Sequence, residues 1–310
     1  MARQQRPLKA FTPELSLAIL SEVAPMPLIP VSDLLDKNLN VYRDVKAQNA
    51  MRHGKYFIVE GVRTVERLLA SKFETASILV TQEKVAAWAG LIPPEIPVYI
   101  MPTEMASQLI GFHLHVGVMA CGLRRRTASL EQLLGLPDPP KDQRLATTIS
   151  AEKYHERTAV PKPLLVVCPN CDNPENLGAI IRIASAFRAT GLLLGNACCD
   201  PFSRRVIRVS MGNIFGLTIR ESRHLGHDLQ RLKTEFGFET MGAVLSDSAV
   251  SLKNVQRPHR LALLLGNEAE GLTTEWIDQC DHLVTIPMPP DVDSLNVSVA
   301  AGIFLYQLTD

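Results

Sequence analysis

The stretch over residues 261–308 constrains the fold most. Two short apolar runs, residues 261–265 (LALLL) and 283–286 (LVTI), each pass straight into a polar turn. GNEAEG follows the first and PMPPDVD the second. Runs of that length bounded by turn residues read as buried strands. Near-continuous apolar strands belong to parallel sheets covered by helices on both faces. In such sheets, ligands bind where loops leave the carboxyl ends of neighbouring strands. Both turns are therefore expected to border one pocket, with a helix opening at a Ser294 cap behind the second.

The same alternation extends upstream and suggests two α/β units. A helix over residues 11–23, stopped by Pro25, Pro27 and Pro30, reads as an appendage and tether (1–37). Residues 38–123 alternate short strands (56–59, 78–80, 98–100, 116–120) with helices (41–51, 62–70, 83–89, 104–110). Residues 124–162 open with three arginines and contain PDPPKD, and read as a linker. A second unit, 163–310, begins with a strand at 164–167 and a helix at 177–189. It continues through strands at 192–194, 217–219 and 239–244, with helices at 203–209 and 224–236.

Charge narrows the partners only a little. Formal charge is zero overall, with 19 Lys+Arg against 16 Asp+Glu in residues 1–160 and 13 against 16 in residues 161–310. No polycationic field announces nucleic acid. No apolar run approaches a bilayer span, and the six cysteines form no staple pattern, so the chain reads as cytoplasmic and not membrane-bound. Cys168-x-x-Cys171 lacks a second pair at zinc spacing, and Asp291 with Asp293 lacks a third ligand. No metal is expected.

Three motifs carry chemistry. In Asn176-Leu-Gly178-Ala-Ile-Ile-Arg182, Asn176 can cap a helix that presents Gly178 and Arg182 on one face. An arginine in the first two helical turns would oppose the macrodipole, a hint of function over packing. Gly266-Asn267-Glu268-Ala269-Glu270-Gly271 has no Lys-Ser/Thr after it and so is no P-loop. Its glycines would let a flat ligand lie against the backbone. The third motif joins Ile286-Pro287-Met288 to Ser294-Leu295-Asn296-Val297-Ser298, a strand end to a helix start. Arg204, Arg205 and Arg208 cluster before Ser210-Met211-Gly212-Asn213 and, with Arg124, Arg125 and Arg126, are candidate phosphate contacts.

Together these motifs resemble the SpoU/TrmH family of RNA ribose 2′-O-methyltransferases, in the SPOUT class. Asn-x-Gly-x-x-x-Arg matches Asn176, Gly178 and Arg182, and Gly-x-Glu-x-x-Gly matches Gly266, Glu268 and Gly271. The third motif matches from Ile286 to Met288 and from Ser294 to Ala300, so the resemblance covers residues 164–310. Two positions depart from the family pattern. Phe187 is followed by Arg188 where glycine is usual, and Asn213 stands where alanine is usual. The upstream unit resembles the family's ribosomal-protein-L30e-like substrate-binding domain.

The resemblance implies a SPOUT-type α/β fold with a deep C-terminal trefoil knot, plus a smaller N-terminal L30e-like α/β domain. It implies S-adenosyl-L-methionine held by Gly266, Asn267, Ile286, Met288 and Leu295. It further implies a homodimer through the knotted domain, with Arg182 reaching toward the partner's pocket. Arg182 would be the catalytic arginine. Since a guanidinium normally stays charged, we expect it to orient RNA and steady developing negative charge. Asn176, Ser294, Asn296 or water would take the proton, and Glu268 would fix its loop. The expected substrate is structured RNA, ribosomal RNA ahead of transfer RNA. The rivals are a non-catalytic RNA-binding relative and a nucleotide-binding regulator.

Overall fold

The structure, a computed structural model, describes residues 28–43, 45, 54–137, 162–289 and 294–309. The helix expected at 11–23, most of the helix expected at 41–51 and the Asp291/Asp293 turn fall outside these residues. So do residues 138–161 of the expected linker.

The N-terminal unit is a five-stranded sheet of β1 (Leu28–Pro30), β2 (Tyr56–Glu60), β3 (Thr75–Thr81), β4 (Val98–Met101) and β5 (Val118–Leu123), in the order β1-β4-β3-β5-β2. β1, β4 and β3 are parallel; β5 runs antiparallel to both β3 and β2. Its helices are α1 (Val62–Leu69), α2 (Val85–Trp88) and α3 (Thr103–Ile110). The strand period of two sorts the core. Ile78 and Val80 face Val65 and Leu68 of α1, whereas Leu79 faces Leu109 and Ile110 of α3. β1 corrects the sequence reading of residues 1–37 as a helix and tether only. Residues 28–30 pair with β4 at the sheet edge, where proline is tolerated.

The C-terminal unit is a seven-stranded, all-parallel sheet. Its strands are β6 (Leu164–Cys168), β7 (Gly191–Leu194), β8 (Ile219–Glu221), β9 (Glu239–Ala243), β10 (Val250–Ser251), β11 (Leu261–Leu264) and β12 (His282–Thr285). They lie in the order β10-β12-β9-β11-β6-β7-β8. Its helices are α4 (Leu130–Leu133), α5 (Pro174–Ala186), α6 (Arg204–Val209), α7 (Leu225–Thr234), α8 (Thr274–Ile277) and α9 (Val297–Leu308). Val166 and Leu263 bury against α5, α6 and α9; Leu165, Val167 and Leu264 bury against α4 and α7. Each such Leu or Val contributes roughly 1.5–3 kcal/mol. A one-residue slip would exchange the two faces of a strand, so register is fixed by packing on both sides.

Residues 124–137 are packed, which corrects the reading of this stretch as the start of a linker. Ser129 caps α4 in a reciprocal capping box with Gln132, and Leu130, Leu133, Leu134 and Leu136 are buried beneath the second sheet. The two units meet along β2, α1, α6 and the turn after α6. Phe57, Phe73, Phe202 and Phe215 form one aromatic cluster there, with Phe57–Phe202 centroids 5.2 Å apart. Polar ties flank it. Arg124 grips Asp200 through two bonds of 2.8 and 2.5 Å, and Arg204 donates to Glu60 at 2.7 Å while lying over the Phe112 ring.

Candidate active site

Three adjacent strands, β12, β9 and β11, end side by side, and the turns leaving them enclose a cavity of about 410 Å³. That is within the usual range of small-molecule sites, about 300–1,000 Å³. Gly266 and Asn267 form one wall, with Ile286, Met288, Ser294 and Leu295 opposite. Phe304 of α9 and Ala243, Val244 and Leu245 close it. The turn after β9 did not stand out in the sequence. Its signal was positional, since a parallel strand between β11 and β12 must open on the same pocket.

The paired glycines of the second motif have a backbone cause. Asn267 and Gly271 exchange both backbone hydrogen bonds, 3.0 and 2.9 Å, folding the turn back on its own strand. A Cβ on Gly266 would collide with the backbone of Gly271 and Leu272, and Gly271 has φ +68°. Gly266 is thus required first by the turn itself, and the resulting bare backbone faces the cavity. The Asn267 side chain accepts from Ala269 N at 2.7 Å, which holds Glu268 at the rim.

At that rim, Asn296 joins the three motifs. Its amide NH₂ donates to Asn176 Oδ1 at 3.1 Å and to Glu268 Oε1 at 2.5 Å. Its carbonyl oxygen accepts from Ser298 N (2.9 Å), Ser298 Oγ (2.6 Å) and Val299 N (3.4 Å). Asn296, not Ser294, is therefore the N-cap of α9. The first motif needs a matching correction. α5 begins at Pro174 with Asn173 as its cap, so Asn176 sits inside the first turn, 5% exposed. An asparagine followed by proline at the first helical position is the stronger cap signal.

Arg182 accordingly lies well inside α5, past the first two turns, where the helix dipole no longer opposes its charge. Its side chain is exposed, whereas Gly178 one turn earlier is buried against Val206 and Val209 of α6. Within this chain Arg182 neither lines the cavity nor joins the Asn296 network. Its helix packs on α9, which carries an uncovered apolar stripe of Val299, Ile303 and Tyr306, of which Tyr306 is 73% exposed. The helices are in contact there, with Gly302 near Ile183 and Tyr306 edge-on to Phe187.

The candidate phosphate contacts divide into two sets. Arg124 and Arg204 serve the joint between the units, and Arg205 pairs with Glu175 in the first turn of α5. Arg125, Arg126 and Arg208 are exposed. Arg188 follows the end of α5 with φ +54°, a left-handed conformation that favours glycine. Burial pushes the Cys168 and Cys171 thiols well up, so these are poor nucleophiles. Among the described residues no group of three or more His, Cys, Asp or Glu is arranged to hold a metal ion. None of their helices is long and apolar enough to cross a membrane.

Comparison with known proteins agrees with this geometry. The sequence model of the SpoU rRNA Methylase family matches residues 163–306. An uncharacterized tRNA/rRNA methyltransferase of Mycobacterium bovis is 30% identical over 287 residues, covering 90% of this chain and 91% of that protein. Among solved structures, an AdoMet-bound rRNA methyltransferase from Sinorhizobium meliloti superposes with a TM-score of 0.71 at 22% identity, over 91% of this chain and 97% of that one. The SpoU methyltransferase AviRb from Streptomyces viridochromogenes, in complex with AdoMet, gives 0.67 at 22% identity, over 88% and 98%. A parallel sheet with its pocket at three strand ends, in a chain with such relatives, defines an RNA methyltransferase. The chain belongs to the SpoU/TrmH family.

Proposed function

We propose that the chain transfers the methyl group of S-adenosylmethionine to a ribose 2′-hydroxyl of structured RNA, ribosomal RNA ahead of transfer RNA. The observation that carries this is the Asn296 network, which ties all three motifs together at the rim of the 410 Å³ cavity. The cavity suits such a donor. Leu265, Ile286 and Phe304 supply apolar walls, and the glycine turn supplies bare backbone for polar contacts. When bound, the donor supplies an already activated methyl group, so the carbon–sulfur bond breaks as the carbon–oxygen bond forms. The protein's task is alignment and charge stabilisation.

The residues divide that task. Gly266, Asn267, Ile286, Met288 and Leu295 hold the donor. Glu268 accepts from Asn296 and fixes the second-motif turn, a positioning role. The hydroxyl proton leaves through hydrogen bonds to Asn176, Ser294, Asn296 or water and ends on solvent, since neither an amide nor a serine hydroxyl holds an extra proton at neutral pH. Arg182, outside its own cavity, orients RNA and steadies the developing oxyanion at the pocket of a second copy. The uncovered stripe on α9, the helix packed against α5, supports a homodimer through this face, and the threaded C-terminal chain implied by the family belongs to the same reading. The preference for ribosomal RNA rests on the N-terminal α/β unit joined to the catalytic one.

The test is transfer of labelled methyl from S-adenosylmethionine to separate ribosomal and transfer RNA fractions, followed by alkaline hydrolysis. A 2′-O-methyl group protects the adjacent linkage, so label is expected in alkali-resistant dinucleotides from ribosomal RNA. Label in mononucleotides would mean base methylation and overturn the ribose assignment. Full activity of Arg182→Lys would dispose of the role given to the planar guanidinium.

A further inference from the structure

Beside the aromatic joint, the two units leave an open groove of about 1070 Å³. Its charged lining is one-sided: Arg67, Lys72, Arg125 and Arg126 face it, with Glu221 the single carboxylate. Five arginines elsewhere in the described residues are neutralised. Arg124, Arg204, Arg205, Arg220 and Arg231 each sit on a carboxylate. Among the described residues, none of the four groove cations makes an ion pair. Arg67 instead donates to Met211 O at 2.7 Å, and the Arg125 guanidinium lies 5.9 Å from the Phe73 ring centre. Such anchoring holds two positive charges at the groove without neutralising them.

The wall between these cations is aromatic. Phe73 and Phe202 both border the groove and are only half-buried. Unpaired cations beside accessible rings are what a single strand requires: phosphates take the charges and unstacked bases take the rings. A duplex keeps its bases inside and would leave the rings unused. The groove also reaches the catalytic helix. Ser185 of α5 lines it, within hydrogen-bond reach of Asn213 and one turn beyond Arg182. Asn176 lies nine residues back along the same helix, roughly 14 Å at 1.5 Å per residue.

We infer that this groove binds a single-stranded RNA segment, with Arg67, Lys72, Arg125 and Arg126 on its phosphates and Phe73 and Phe202 under its bases. The strand is thereby led along α5 toward the methylated sugar. RNA as the ligand rests on the function proposed above; the groove itself does not depend on the methyl donor.

The test uses the full-length protein without donor and two probes of equal length, a mixed-sequence single-stranded oligoribonucleotide and an RNA hairpin. Affinity is measured across a salt series. Replacing all four cations by alanine should weaken single-strand binding more than tenfold near 0.1 M salt. It should also flatten the slope of log K against log salt by about 3, at roughly 0.7 per phosphate contact. Phe73→Leu should weaken the single strand and leave the hairpin unchanged. S-adenosylhomocysteine binding, followed by calorimetry, should be unaltered in the four-alanine variant. That separates loss of the groove from misfolding or from failure of the methyl-donor reading. An unchanged affinity and salt slope in the four-alanine variant, or a hairpin bound as tightly as the single strand, would overturn the proposal.

Discussion

At the scale of single residues, one amide does two jobs that can be separated. The Asn296 carbonyl oxygen caps α9, and its NH₂ bridges Glu268 and Asn176. Asn296→Ala removes both, so urea unfolding should show a loss of about 1 kcal/mol, the usual worth of a cap, together with a fall in methyl transfer of at least tenfold. Asn296→Asp retains a capping oxygen but turns an acceptor toward two acceptors. Its stability should fall less than that of the alanine variant, with activity lost as fully. Equal activity in wild type and Asn296→Asp would remove the network from the mechanism. The two caps show what the sequence did and did not reveal at this scale. Asn173 and Asn176, like Ser294 and Asn296, are competing cap formers within three residues of each other. Choosing between them depends on the turn's approach to the helix, which is a tertiary property.

Among the elements, the strands were legible because each is a short apolar run flanked by turn residues, as at 164–167 and 261–265. The exceptions were three edge strands: β1 and β10 were not expected, and β8 (Ile219–Glu221) begins where the strand expected at 217–219 ends. Two or three residues at a sheet edge carry no period, and only the neighbouring strand makes them strands. Residues 130–136 were misread because the charged and proline-rich sequence around LEQLLGL outweighed its leucines. The helix contacts were less legible still. Gly178 of α5 is where Val206 and Val209 of α6 press closest. A Cβ there would lie 2.6 Å from the Val209 Cβ. Gly178→Ala should therefore destabilise by about 1–2 kcal/mol despite alanine's better helix propensity, because overpacking wins. Gly302 on α9 is the contrast, since its nearest neighbour is Ile183 at 3.9 Å. Gly302→Ala should gain up to about 1 kcal/mol. Chemical denaturation of both variants checks the pair, and the same sign for both would refute the packing account.

For the whole molecule, the sequence supplied the motifs but not where each would act. Arg182 falls in the first motif, yet in the folded chain it stands outside the cavity that the other two motifs line. The stripe of Val299, Ile303 and Tyr306 on α9, the helix packed against α5, is 50%, 38% and 73% exposed. If two copies pair through that stripe as proposed, each site takes Asn296 and Glu268 from one subunit and Arg182 from the other. Arg182→Ala and Asn296→Ala should then each be inactive alone. Mixed and allowed to exchange subunits, they should recover activity, since one site of every mixed dimer has both groups intact. Half the dimers are mixed at equilibrium and half their sites are whole, so recovery should approach about a quarter of wild type. Were Arg182 to serve its own cavity, every site in the mixture would carry one defect and no activity would return. Adding Tyr306→Glu and Ile303→Glu to both chains should abolish the recovery and shift the protein to monomer in light scattering. Recovery that survived those charges would place the interface elsewhere.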